Sequence, residues 1–191
     1  VKEPVNAFTY THFDEAMDRA RKAEAKYASG KRTGALEGLP IGIKDESEIK
    51  GKPTSAGSLI LKDNVASETS TNNARIMRAG GIVHARTATP EFSCAGTCWS
   101  RLWGVTRNPW NPAFTPGGSS GGAAASLACG TSALCTGSDI GGSIRIPASA
   151  CRVVGSKPPH WPHPGHPPVH TGFFWHTGAP APDRDRAHLS A

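Results

Sequence analysis

Thr115 to Pro147 reads TPGGSSGGAAASLACGTSALCTGSDIGGSIRIP, with eight glycines and two serine-centred glycine nests. Glycine costs conformational entropy wherever it is held in place, so this density needs a reason. A serine hydroxyl is a poor nucleophile until a neighbouring group takes its proton. In the second nest, SDIGGS, a run of backbone N–H groups leads up to Ser143. Glycines let such donors turn inward around a developing oxyanion. A base is available upstream in Lys44, which closes the apolar stretch LPIGIK. Burial disfavours the ammonium and lowers a lysine pKa, and Ser-Lys pairs are known variants of serine-histidine chemistry. From LPIGIK alone, a solvent-facing lysine at a strand exit is the simpler reading; the two nests give it another use.

Three other readings compete. A flexible Gly/Ser linker is the default for such runs, but both nests are bounded by apolar segments. A phosphate cradle would need Gly-Lys-Ser/Thr, or G-x-G-x-x-G after a strand, and neither occurs here. Gly117-Gly118-Ser119-Ser120-Gly121 fits the G-x-S-x-G nucleophile elbow. The segment before it, RNPWNPAFTP, carries three prolines and no strand-like apolar run.

The elements that must position these groups follow α/β grammar. Residues 12–28 place Phe13, Ala16, Met17, Ala20, Ala23 and Tyr27 on one helical face, with Thr11 as cap and Gly30 at the end. Leu39 to Ile43 is an apolar strand that delivers Lys44 and Asp45. TNNARIMRAGGIVHART reads as helix, Gly-Gly stop and strand from Ile82 to Ala85. EFSCAGTCWSRLWGVTRNPWNP is loop-like, with Asn-Pro turns. GAAASLACG is a small-residue helix, ALCTGSD a short strand, and CRVVGSKP a further strand.

Composition narrows the class. At 37% hydrophobic and 19% charged residues the chain is globular rather than disordered. No apolar run approaches the length of a membrane span, and VKEPVNAFTYTHF lacks a signal-peptide layout, so no membrane role is expected. The net charge of +6 is spread among acids with no basic patch, which argues against nucleic-acid binding by this chain. Five cysteines, an odd number mostly in small apolar contexts, read as reduced thiols and a cytoplasmic location. Cys94 and Cys98 lack a second pair at zinc spacing, so zinc is not expected; no other metal and no cofactor is expected either. Six histidines fall in a Pro/His-rich segment, 159–191, which reads as an irregular tail rather than a metal tract. The organisation expected is 1–158 as one domain part, followed by this tail.

Three stretches, GLPIGIKD, PGGSSGG and GSDIGGSIRIPA, resemble the core motifs of the amidase signature family in order and spacing: Lys44 precedes Ser119 by 75 residues, and Ser143 follows it by 24. GKPTSAGS, RAGGIV, TPEF and NPWNP extend the likeness from about residue 36 to 158. The resemblance implies a mixed β-sheet core flanked by helices, truncated here because family members usually run to more than twice this length. It implies amide hydrolysis through an acyl-enzyme on Ser143, with Ser119 relaying protons to Lys44 as base. By the same resemblance the Gly118–Ser119 peptide is cis, and an oxyanion hole maps to the N–H groups of Ile140, Gly141, Gly142 and Ser143. Ser120, Asp139 and Arg145 are supporting residues, the last two as a brace or a plain ion pair. The implied partner is a small-molecule amide; a homodimer is left open. Also open are the A-type subunit of a glutamyl-tRNA amidotransferase and an inactive fragment of the family.

Overall fold

The computed structural model describes residues 5–157 and the backbone of 175–179. Phe8–Thr11 forms β1, Phe13–Ala28 α1, Pro40–Lys44 β2, Thr71–Arg78 α2 and Ile82–Thr87 β3. Trp99–Ser100 and Gly104–Val105 form β4 and β5, a small separate hairpin. Gly121–Ala128 is α3, Leu134–Ser138 β6, Arg145–Cys151 α4, Val154–Gly155 β7 and Trp175–Ala179 β8.

The main sheet runs β1-β3-β2-β6-β8-β7. Strands β3, β2 and β6 are parallel neighbours, and β1, β8 and β7 pair antiparallel, so the sheet is mixed. Successive side chains of a strand point to opposite faces. In β2 this alternation sends Ile41 and Ile43, both fully buried, into a core with Leu36, Ile76, Met77, Val83 and Leu134. Gly42 lies on the other face, where a Cβ would come 2.8 Å from Cys135 Sγ. Cys135 packs there with Ala123 and Leu127 of α3. Lys44 shares the parity of Gly42 and so emerges on the α3 side at the strand's C-terminal end. β2 and β6 are parallel neighbours, so their C-terminal ends open on the same edge, the usual place for a ligand in an open α/β sheet.

Several expectations need correction. The helix 12–28 forms, but Thr11 ends β1, and the cap position is His12 with no side-chain cap bond. Of that helical face only Ala16 and Ala23 are buried; Phe13, Met17 and Tyr27 are each at least half exposed. Close packing through alanines leaves the larger side chains at the rim, where Phe13 stacks on His84 with ring centroids 6.2 Å apart. Cys98, Cys135 and Cys151 are buried, whereas Cys94 and Cys129 are exposed; all five are free thiols. CRVVGSKP gives only the two-residue β7, because Cys151 closes α4 and Arg152 adopts a left-handed φ of 57°. Within the segment read as an irregular tail, Trp175–Ala179 pairs with β6 and β7. The physical reason is the bare edge of β6, whose peptide groups need partners. The histidines at 160, 163, 166, 170 and 188 lie outside the described residues.

Candidate active site

α3 begins directly beneath the end of β2. Its first seven residues, GGAAASL, are all buried, and their small size lets the helix lie close on the sheet. A Cβ at Gly122 would stand 2.3 Å from the Ala88 backbone nitrogen, so no larger residue fits at this crossing. Ahead of the helix, Gly117 adopts a φ of +82°, a conformation that favours glycine, and the Gly118–Ser119 peptide is cis.

This turn sets Ser119 against Lys44. Both are buried, and Lys44 Nζ lies 2.7 Å from Ser119 Oγ. The same nitrogen lies 2.9 Å from Ser138 Oγ, on the last residue of β6, and 3.2 Å from Glu46 Oε2. Thr136 Oγ1 accepts from the Lys44 backbone N–H at 3.0 Å, tying β6 to the lysine's own backbone. Burial pushes the Lys44 amine well below the usual lysine range; the Glu46 carboxylate pulls it part of the way back. Behind the lysine, Asp45 is buried, accepting from Ser55 Oγ at 2.5 Å and facing Arg86 at 3.6 Å. Arg86 Nη2 donates to the Ser47 carbonyl at 2.5 Å, which anchors the turn that follows Lys44.

The second nest is built around Asp139. Its carboxylate accepts from the N–H groups of Gly142 at 2.8 Å and of Ile144 and Arg145 at 3.1 Å. Arg145 adds a two-pronged contact through Nε at 3.0 Å and Nη2 at 2.8 Å. Burial works against the Asp139 charge, but the Arg145 guanidinium and these N–H groups outweigh it and hold the carboxyl well below the usual range. Asp139 and Arg145 therefore act as a brace for the loop. Ser120 joins the two nests: its N–H donates to the Ser143 carbonyl at 3.0 Å.

Ser143, half-buried, lines a cleft of about 440 Å³ together with Ser119, Ser138, Gly118, Ile140 and Gly141. Phe92, Cys94 and Ile146 form part of its wall. Of the expected oxyanion donors, Ile140 and Gly141 are exposed at this cleft. Gly142 is the correction: its N–H is taken up by Asp139, because the carboxylate needs that donor to close the loop. Two site residues escape the sequence reading. Ser138 precedes the second nest directly, and Glu46 follows Lys44 by two positions; both touch the lysine nitrogen.

Known proteins resemble this chain in sequence and in fold. A family model described as Amidase matches residues 1–170. The A-type subunit of the glutamyl-tRNA(Gln) amidotransferase of Synechococcus sp. (strain CC9605) is 44% identical over 154 residues, covering 81% of this chain and 31% of that protein. The structure of a bacterial aryl acylamidase of the amidase signature family superposes with a TM-score of 0.86 at 32% identity, covering 93% of this chain and 38% of that one. A chain from a vestigial complex tied to the origins of an s-triazine catabolic enzyme superposes with a TM-score of 0.85 at 33% identity, covering 94% and 40%. The chain thus spans about a third of the length of the curated relatives it matches. On the family-model match and the shared fold, the chain belongs to the amidase signature family.

Proposed function

We propose that this chain carries the catalytic part of an amidase that hydrolyses a carboxylic amide to an acid and ammonia or an amine. The observation that carries the reading is the fully buried Lys44, its Nζ 2.7 Å from Ser119 Oγ, beside a cleft that Ser119 and Ser143 share. Ser143 Oγ attacks the carbonyl carbon and gives its proton to Ser119 Oγ, which passes its own to neutral Lys44 Nζ. The negative oxygen of the tetrahedral intermediate is held by the N–H groups of Ile140, Gly141 and Ser143, each such donor being worth about 2.7–4 kcal/mol. The Lys44 ammonium then returns its proton through Ser119 to the departing nitrogen, and the C–N bond breaks. Water attacks the remaining ester, its proton follows the same path, and the acid leaves with Ser143 restored. Ser138 holds the lysine nitrogen, while Ser120 and the Asp139–Arg145 brace hold the loop. No step calls for a metal or an organic cofactor.

The experiment is a fluorophosphonate label with mass-spectrometric mapping, alongside hydrolysis of aliphatic and aryl amides. Labelling at Ser143, lost in Ser143→Ala and cut roughly 10²–10⁴-fold in Lys44→Ala, is the expected result. Full reactivity of Lys44→Ala would refute the base assignment.

A second reading is favoured by the 44% identity to the A-type component of an amidotransferase: the same site would release ammonia for transfer within a larger assembly. Copurification with partner proteins, and turnover that depends on tRNA, would select it over a free amidase.

A further inference from the structure

Glu46 lies two residues beyond Lys44, with a side chain only 11% exposed. Its Oε2 is 3.2 Å from Lys44 Nζ and also accepts from the Ser93 hydroxyl. Ser93 belongs to the cleft wall, and its Oγ is 2.9 Å from Thr89 Oγ1. Glu46 Oε1 is buried with no hydrogen-bond partner. Other titratable groups surround the pair. Asp45, on the same turn, is committed to Ser55 and Arg86. Arg86 of β3 is within electrostatic reach of Glu46. Cys98, next to β4, and Asp139, after β6, both act on Lys44, but Asp139 is occupied by Arg145 and the loop N–H groups. Among the described residues, Glu46 is the carboxylate in direct contact with the lysine nitrogen.

A buried amine can serve as base only in its neutral form, and a carboxylate at contact distance favours the charged form. Both influences meet on one nitrogen. We infer that Glu46 is a positioning residue for the reaction: its carboxylate holds the Lys44 side chain and governs how much of it is free base, and Ser93 links that control to the cleft wall. This rests on the reading of Lys44 as base. Burial and Glu46 are the two largest influences on the Lys44 amine, and they act in opposite directions. A carboxylate with no bearing on the reaction would leave the acid limb of Ser143 labelling where it is in wild type.

The test uses the full chain. NMR follows the Lys44 side-chain carbon next to Nζ against pH, and a fluorophosphonate reports the pH dependence of Ser143 labelling. Glu46→Gln, which keeps shape and loses charge, should move the Lys44 midpoint and the acid limb of labelling to lower pH by at least about one unit. Below the wild-type midpoint, Ser143 then labels at least about tenfold faster, since one unit is a factor of ten in free base. Glu46→Asp keeps the charge on a shorter arm and should fall between wild type and Glu46→Gln; if Glu46→Gln does not fold, this variant carries the test. An unchanged Lys44 midpoint in the folded variants overturns the inference. Wild type that never labels at Ser143 counts against the hydrolase reading, and the NMR titration still decides the role of Glu46.

Discussion

Lys44 and Asp139 are both fully buried ionisable side chains, and their surroundings settle their charge in opposite ways. Lys44 meets burial with one carboxylate in contact and leans toward the neutral amine. Asp139 meets burial with an arginine fork and three N–H donors and keeps its charge. Asp139→Asn retains size but weakens every one of these bonds. The expected result is a loss of roughly 1–3 kcal/mol in a denaturant melt at neutral pH, together with a large fall in Ser143 labelling. The sign with pH follows from a folded-state value held low. Asp139 stabilises the fold above the unfolded-state value of about 3.9, and that contribution shrinks as the pH drops below it. The gap between wild type and Asp139→Asn should therefore narrow in acid. For Lys44 the rate rises with pH as the amine loses its proton, with a midpoint below the usual lysine range; a midpoint at the ordinary lysine value of about 10.4 would contradict this.

At the scale of elements, the fold depends on how closely α3 lies on the sheet. Gly122→Ala puts a methyl group 2.3 Å from Ala88 N and 2.6 Å from the Ala7 carbonyl, both backbone atoms that cannot move aside alone. The expected cost is about 1–3 kcal/mol, with part of the activity lost because Ser119 rides on the same helix start; thermal melting measures it. Much of this architecture is legible in the sequence. PIGIK alternates in a strand pattern and ends on its lysine, and GGAAASL announces a helix that can approach closely. The Gly80-Gly81 stop correctly separates α2 from β3. Other parts are not legible, for physical reasons. α4 contains Pro147 in its first turn, where proline is tolerated, and its short run shows no 3.6-residue period. β1 is four residues long and abuts α1, so its FTYT pattern merges with the helix signal. β8 exists through pairing with β6, more than thirty residues upstream, a non-local interaction that carries no local signature. Glu46 and Ser138 are ordinary residue types, and only the convergence of β2 and β6 on one edge gives them a role.

For the molecule as a whole, the site is a cost that the fold carries. A buried amine pushed below the usual lysine range binds fewer protons in the native state than in the unfolded chain, where its pKa is about 10.4, at pH values between the two. Stability therefore rises with pH between the depressed native value and that unfolded value, and at neutral pH the lysine subtracts from it. Removing Lys44 alone gives a muddied answer, because Lys44→Met leaves the nearly buried Glu46 carboxylate without its lysine. Replacing both partners, Lys44→Met with Glu46→Gln, removes the buried charge and keeps the volume. The double variant should melt a few degrees above wild type at pH 7, and above either single variant, while Ser143 no longer labels. The singles should fail to add, with a coupling of roughly 0.5–3 kcal/mol, as expected of two groups in contact. The double variant's advantage over wild type should also fade as the pH rises toward 10, where the lysine ceases to be a burden. A double variant less stable than wild type at pH 7 would mean that the Lys44–Glu46 pair is a net support of the sheet edge, placed there for the fold as much as for the chemistry.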